Sequence, residues 1–284
     1  MTILYSILVL SLLGIIAGVS LFFVAKKFNV IENPLIDEVE AMLPGANCGG
    51  CGFPGCRKFA DVLVNSESIE GLFCSPAGQE QMEKIAEHLG KSVSKKAMQV
   101  AVVRCNGSCD VRPVTNEYEG ISSCAFAAQL YAGETACSFG CLGLGDCELV
   151  CAFDAIHVNV ITGLPEVITD KCTACGACVD ACPKQIIELR KTNKKDLKIY
   201  VSCVNKDKGV VAKKACDVAC IGCGKCVKVC PHSAITLQNS LAYIDDELCK
   251  LCRKCVDECP THAIIETNFP EKKKQVQENS SDIE

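Results

Sequence analysis

CTACGACVDACP at residues 172–183 recurs as CIGCGKCVKVCP at 220–231 and CKLCRKCVDECP at 249–260. A looser version, CSFGCLGLGDCELVC, occupies 137–151. The three regular copies share the spacing C-x2-C-x2-C-x3-C-P, which holds [4Fe–4S] clusters. A cubane needs four thiolates converging on four iron corners. Three cysteines at intervals of three on a tight loop reach three corners of one cluster. The fourth opens a segment that leads away and ligates the neighbouring cluster, so such motifs work in pairs. One copy alone would fit a zinc ribbon; three between residues 172 and 260 point to iron and sulfur.

The chain has 25 cysteines among 284 residues. Such density also occurs in disulfide scaffolds, but the spacing here is that of clusters and the chain is too long to need stapling. Zinc knuckles use C-x2-C, yet rarely string three such steps into one loop ending in Cys-Pro. Thiolates kept for metal imply a reducing compartment. With no tryptophan and 5 % aromatic residues, aromatic cores are small, and bound clusters are expected to supply much of the folding energy. The net charge of −5 conceals an asymmetry. Residues 31–90 carry ten acids against three bases, and residues 184–254 carry fifteen bases against seven acids.

Residues 3–25 contain no charge and as a helix reach about 34 Å, enough for a bilayer core. A cleavable signal would have a shorter apolar region with bases before it; here Lys26 and Lys27 follow. The positive-inside rule then puts the C-terminal bulk in the cytoplasm, so a retained single-pass anchor is expected. Gly14 and Gly18 form a G-x3-G step suited to packing on another membrane helix. Residues 28–47 read as a connector with a short helix stopped by Pro44 and Gly45.

ANCGGCGFPGC follows, with Cys48, Cys51 and Cys56, and a fourth cysteine at Cys74. Its glycines let the backbone fold tightly and turn N–H groups toward sulfur. Helical patterns at Arg57–Ser66 and Gly78–Leu89 complete a small α-helical cluster domain.

From Cys105 the chain repeats itself. AVVRCNG around Cys105 resembles IYVSCVN around Cys203. Cys137, Cys141, Cys147 and Cys151 have the spacing of Cys216, Cys220, Cys226 and Cys230, and Cys172–Cys182 matches Cys249–Cys259. Each fourth cysteine opens a similar segment (CAFDAI, CPKQII, CPHSAI, CPTHAI) whose apolar pair is expected to seat beneath a cluster. An insertion in the first repeat adds Cys109 and Cys124. The expected architecture is α+β: a transmembrane helix (1–27), the connector (28–47), the amino-terminal [4Fe–4S] domain (48–90), two tandem 2[4Fe–4S] ferredoxin-like modules (97–196 and 197–267) and a disordered tail (268–284).

The pairing rule assigns Cys137, Cys141, Cys147 and Cys182 to one cluster, and Cys151, Cys172, Cys175 and Cys178 to another. In the second module it assigns Cys220, Cys223, Cys226 and Cys259 together, and Cys230, Cys249, Cys252 and Cys255 together. With the amino-terminal site these make five [4Fe–4S] clusters. Cys105, Cys109, Cys124, Cys203 and Cys216 remain, and a sixth cluster would use four of them; spacing does not decide which, and the repeat even allows Cys216 in place of Cys223. Ala152 stands where the other fourth cysteines are followed by proline, which removes a turn constraint but no ligand.

No nucleophile–base pair, P-loop or flavin motif is present, and no catalytic residue is assigned. Gly143-Leu144-Gly145 lacks the third glycine of a dinucleotide loop. His157, His232 and His262 follow fourth cysteines and are read as packed or solvated in preference to tuning a cluster; His88 stands apart. Lys191, Lys194, Lys195, Lys198, Lys213, Lys214, Lys225, Lys228, Arg253 and Lys254 form a basic excess that would steer an acidic partner such as soluble ferredoxin. The acidic pI and scarcity of aromatics argue against nucleic acid.

The uncleaved amino-terminal helix, LPGANCGGCGFPGC with Cys74, and the ferredoxin modules together resemble the B subunit of the Rnf electron transport complex. The second module and the insertion are similar to the longer forms of clostridia and acetogens. The resemblance implies a bacterial membrane complex that oxidises reduced ferredoxin, reduces NAD+ and pumps Na+ or H+. In it this chain would be the ferredoxin entry point, with NAD and flavin on other subunits. A membrane-tethered polyferredoxin feeding another redox enzyme, or a redox-regulatory reductase, are the alternatives.

Overall fold

The computed structural model describes residues 2–27, 33–93, 97–130, 133–193 and 195–270. Lys194 and residues 271–284 of the expected disordered tail (268–284) lie outside them, while Asn268 at its start donates to Asp196 at 2.8 Å. Helix α1 (Thr2–Lys27) carries leucine, isoleucine, valine and phenylalanine on every face. None of its span Tyr5–Val24 is buried against the rest of the chain, and it is long and apolar enough to cross a membrane.

Helix α2 (Pro34–Met42) starts where Asn33 accepts a hydrogen bond from the Leu35 N–H at 3.1 Å, with proline at its first position, a favoured N-terminus. It is more than a connector. Ile36, Val39 and Leu43 are buried with Phe59, Leu63, Ile69, Met82 and Ile85 from α3 (Cys56–Asn65), α4 (Gly78–His88) and the loop between them. Each such side chain contributes about 1.5–3 kcal/mol on burial. Arg57 of α3 reaches Asp37 at 2.9 Å and Glu40 at 2.7 Å, fixing α2 across it. The cluster domain therefore begins ahead of its first cysteine.

The remaining strands fall into two sets with one pairing scheme. In the first, β1 (Gln99–Val103) pairs antiparallel with β4 (Ile187–Lys191), and β2 (Ile156–Asn159) with β3 (Leu164–Val167). In the second, β5 (Lys198–Val201) pairs with β8 (Ile264–Thr267), and β6 (Ile235–Gln238) with β7 (Leu241–Ile244). Equivalent hydrogen bonds close the outer pairs: Arg104 N–H to the Ile186 carbonyl at 2.6 Å, and Ser202 N–H to the Ala263 carbonyl at 2.7 Å. Short helices α6 (Asp146–Leu149), α7 (Ala177–Ala181), α9 (Lys225–Val229) and α10 (Lys254–Asp257) carry the third cysteine of each motif. Helix α5 (Cys124–Leu130) lies in the insertion, and α8 (Gly209–Ala215) precedes Cys216.

The four motifs share one backbone. The residue two after Cys141, Cys172, Cys220 and Cys249 has a left-handed φ in each case: Gly143, Ala174, Gly222 and Leu251. So does the residue two before each third cysteine (Gly145, Gly176, Gly224, Arg253) and the residue three after each fourth (Asp154, Gln185, Ser233, His262). Such turns point successive N–H groups into one concavity. The apolar pairs that follow (Ala155 and Ile156, Ile186 and Ile187, Ala234 and Ile235, Ala263 and Ile264) are all at most 5 % exposed. These pairs are the floor on which each loop rests.

The two repeats are fastened by buried charge. Arg190, 3 % exposed, donates to the carbonyls of Ile199 and Ile244 and to Glu188. Arg104 donates to Glu188 and to the carbonyls of Val201 and Cys203. Both guanidinium groups lie over the Tyr243 ring.

Candidate iron–sulfur centres

Cys48, Cys51, Cys56 and Cys74 come together as expected. Cys74 is buried, its thiol is pushed up to about 11 by burial, and the charges acting on it are those of the other three. Asn47 holds the loop shut: its Oδ1 accepts the Cys56 N–H at 2.8 Å.

Cys178 is pushed up to about 12 by burial and then by Cys172 and Cys175, with Cys147 and Cys151 adjoining. The Ala101 N–H donates to Cys172 Sγ at 3.5 Å, and the Ala155 N–H to Cys151 Sγ at 3.3 Å. In the second repeat Cys220, Cys223, Cys226 and Cys259 line one small cavity. Cys249 stands beside Cys230 and Cys252, and Cys255 beside Cys249 and Cys252.

The fourth expected grouping is different. The cavity equivalent to that of Cys220 is lined by Cys124, Cys141, Cys147 and Cys182. Cys137 is not among them. Cys147 is acted on by Cys124 and Cys182, and Cys141 by Cys105, Cys124 and Cys147. The reason lies at position 144. Aligning Cys141 with Cys172, Cys220 and Cys249 puts Leu144 where the regular motifs have their second cysteine. Cys124 enters from the insertion to fill that corner. Asp146 fixes it there, because its carboxylate accepts the N–H of Cys124 and of Ala125, both at 2.9 Å, and the Ser123 hydroxyl at 3.0 Å. Leu144 was the signal in the sequence, since a motif missing its middle cysteine must recruit one from elsewhere.

Cys137 is placed instead with cysteines that the pairing rule leaves over. The Asn205 side-chain amide donates to Cys137 Sγ at 3.5 Å and the Asn205 N–H to Cys203 Sγ at 3.5 Å. Cys216 is acted on by Cys105 and Cys137. Cys109 joins no group; it is exposed, with Sγ 3.5 Å from the Thr162 carbonyl.

Among the described residues, no three His, Cys, Asp or Glu side chains lie close enough to hold one metal ion. Four thiols lining a shared space, with backbone N–H groups donating to sulfur, are what a [4Fe–4S] cluster asks of its protein. His157 faces Glu148 at 3.2 Å and Asp154 at 3.1 Å, not a sulfur.

A 4Fe-4S dicluster domain family matches residues 219–263, a 4Fe-4S double cluster binding domain family matches 171–233, and an Fe-S cluster family matches 43–71. The chain is 42 % identical to the B subunit of the Na(+)-translocating ferredoxin:NAD(+) oxidoreductase complex of Acetobacterium woodii, over 85 % of this chain and 71 % of that protein. It is 42 % identical to the B subunit of the proton-translocating ferredoxin:NAD(+) oxidoreductase complex of Clostridium ljungdahlii, over 87 % of this chain and 86 % of that one. The chain belongs to the B subunits of the ion-translocating oxidoreductase complexes. A third such protein, from Methanosarcina acetivorans, is 39 % identical over 86 % of this chain and 90 % of its own length. The present chain is thus an iron–sulfur electron-transfer protein.

Two features of its surface bear on partners. Cys223 and Cys252 are exposed, and Lys225, Lys228, Lys250 and Lys254 around them are exposed too. Lys198, expected in the basic face, is 5 % exposed and paired with Asp196. Burial removes it from any docking surface. Lys191 pairs with Glu247 at 2.6 Å, Lys213 with Asp217 at 3.1 Å, and Arg253 with Glu266.

Proposed function

We propose that this protein accepts electrons from reduced ferredoxin at its second repeat and delivers them to its amino-terminal domain, which α1 anchors beside membrane subunits that carry flavin and reduce NAD+. The cluster domains face the cytoplasm and the complex moves Na+ or H+. The chain divides into the anchor, the amino-terminal cluster domain and two ferredoxin-like modules.

The thiol sets that would hold clusters are Cys48, Cys51, Cys56 and Cys74; Cys124, Cys141, Cys147 and Cys182; Cys151, Cys172, Cys175 and Cys178; Cys220, Cys223, Cys226 and Cys259; and Cys230, Cys249, Cys252 and Cys255. A bound [4Fe–4S] cluster supplies reversible one-electron chemistry, with a potential set by hydrogen bonds to its sulfurs and by exposure. The protein's part is to fix the order and spacing of these sets, donate N–H groups to sulfur, exclude water from the inner sets and leave the outer pair accessible.

The observation that carries this reading is the pair of exposed cysteines at one end of the row. At one end Cys223 and Cys252 open to solvent among lysines, which suits an acidic partner. At the other, Gly50 of the amino-terminal loop lies against Cys175, in the domain that follows the anchor along the chain. The test is reduction of the purified full chain by substoichiometric reduced ferredoxin, followed by NAD+ reduction in the intact complex. Both are expected. A chain that takes electrons from ferredoxin but never co-purifies with flavin-bearing membrane subunits would instead be a polyferredoxin serving another enzyme.

A further inference from the structure

We propose that Cys105, Cys137, Cys203 and Cys216 hold a sixth [4Fe–4S] cluster, shared between the two repeats. The proposal rests on the cluster assignments above and adds a site to them.

The four cysteines are two equivalent pairs. Cys105 follows β1 and Cys203 follows the equivalent strand β5. Cys137 precedes Cys141 by four residues, as Cys216 precedes Cys220. Each repeat therefore contributes the same two positions, one after its first strand and one before its first motif. Neither repeat holds four thiols here by itself.

The packing brings the pairs together. Cys137, Cys203 and Cys216 are 6–8 % exposed, too buried for thiols serving as solvent-facing groups. Asn205, 1 % exposed, donates to both Cys137 and Cys203, one from each repeat. The Asn106 N–H donates to the Ser202 carbonyl at 3.2 Å, joining the two segments just past the strands. A Cβ on Gly107 would lie 3.1 Å from Cys216 Sγ, so the chain after Cys105 lies directly against the second repeat's thiol.

Arg112 is an independent sign of negative charge at this place. Its side chain is 5 % exposed, and its Nε has no hydrogen-bond partner. Its Nη1 donates to the Cys141 carbonyl at 2.9 Å, and a Cβ on Gly107 would lie 2.7 Å from its Cδ. No carboxylate pairs with it among the described residues. A guanidinium buried without a counter-charge is costly. Thiolates bound to a cluster, beside Cys216, give it one.

The site also explains how the row is continuous. Cys141 adjoins Cys105, and Cys203 adjoins Cys220, whose N–H donates to it. Cys226 adjoins Cys255, and Cys147 adjoins Cys178. The shared quartet is thus the one that touches sets in both repeats. One electron enters it from one side as one leaves on the other, with no proton or co-reactant required.

The test uses the full chain prepared anaerobically, with iron, acid-labile sulfide and zinc measured together and Mössbauer spectra recorded. About twenty-four irons per chain are expected, and about twenty for Cys105→Ala/Cys203→Ala with the other spectral components intact. Wild-type protein with about twenty irons, or zinc or cystine at these four positions, overturns the sixth site and leaves the other five standing. Protein without cubanes at all overturns the function proposed above. Should the double variant fail to fold, Asn205→Leu supplies a second measurement. It removes the amide donor to Cys137, so one of six midpoint potentials moves lower at unchanged iron content. Six unmoved potentials would count against the site.

Discussion

A Cβ placed on Gly50 would lie 2.6 Å from the carbonyl oxygen of Cys175 and 2.8 Å from its Cβ. Gly50 belongs to the loop that holds the amino-terminal thiols, and Cys175 to a quartet of the first repeat. The two sites meet backbone to backbone, with no side chain between them. Gly50 does not have a left-handed φ, so contact and not conformation is what requires glycine. Gly50→Ala is expected to cost about 1–3 kcal/mol by overpacking, to keep the full iron content, and to slow electron delivery to the amino-terminal site at least about tenfold. Stopped-flow reduction by ferredoxin, resolved by cluster, measures it.

Asp146 controls a ligand 22 residues away by holding the start of α5. Asp146→Ala removes three accepted hydrogen bonds, and loss of such a cap costs about 0.5–2 kcal/mol. The expected outcome is a labile cluster at Cys124, Cys141, Cys147 and Cys182, lost first on mild chelation. Cys124→Ala should remove the same spectral component. Cys137→Ala should leave that component and remove a different one.

Exposed and buried lysines separate docking from stability. Replacing Lys225, Lys228, Lys250 and Lys254 by glutamine is expected to lower the ferredoxin association rate about tenfold or more at low salt and to flatten its salt dependence. Lys198→Gln is expected to leave association unchanged. It removes the ion pair with Asp196, which keeps Thr192 and Asn268 as hydrogen-bond donors, at a cost of about 1–3 kcal/mol. Association kinetics across ionic strength, with chemical denaturation in parallel, distinguish the two.

His157 gives a pH-dependent contribution with a definite sign. Its pKa is raised above the ordinary 6.5, chiefly by the hydrogen bond with Glu148 and further by Asp154, against the opposing effect of burial. A raised folded pKa means stabilisation that is complete below the unfolded value and fades as pH climbs through the folded one. The melting temperature of His157→Gln should therefore fall below that of the wild type at pH 6 and converge with it by pH 9. An equal difference at both pH values would show that charge is not involved.

Much of this molecule was legible in its spacing. The repeat and the buried apolar pairs after each fourth cysteine follow from residues that recur at fixed offsets. In four of the five expected quartets the cysteines lie near one another in the fold. The fifth misled because the pairing rule counted cysteines by nearness in sequence, whereas Leu144 left a corner to be filled from the insertion. Cys105, Cys203 and Cys216 were visible but unassignable, since a site shared by two repeats has no local spacing to read. The basic excess misled for a similar reason. A charge count along the chain does not distinguish Lys198, buried on a strand and paired with Asp196, from Lys225 beside an exposed cysteine. Likewise α2 reads as a tether by position, and only its packing on α3 shows that it belongs to the cluster domain.

The central claim is an unbroken row of thiol quartets from the exposed lysine-rich end to the anchored domain, with a bridge between the repeats. Iron-edge anomalous scattering from anaerobic crystals of the full chain tests it most directly. Six iron peaks are predicted, each beside the next, with one enclosed by Cys105, Cys137, Cys203 and Cys216 and another bounded by Cys124. A map with a gap between the repeats, or with Cys137 in the place given to Cys124, would contradict it.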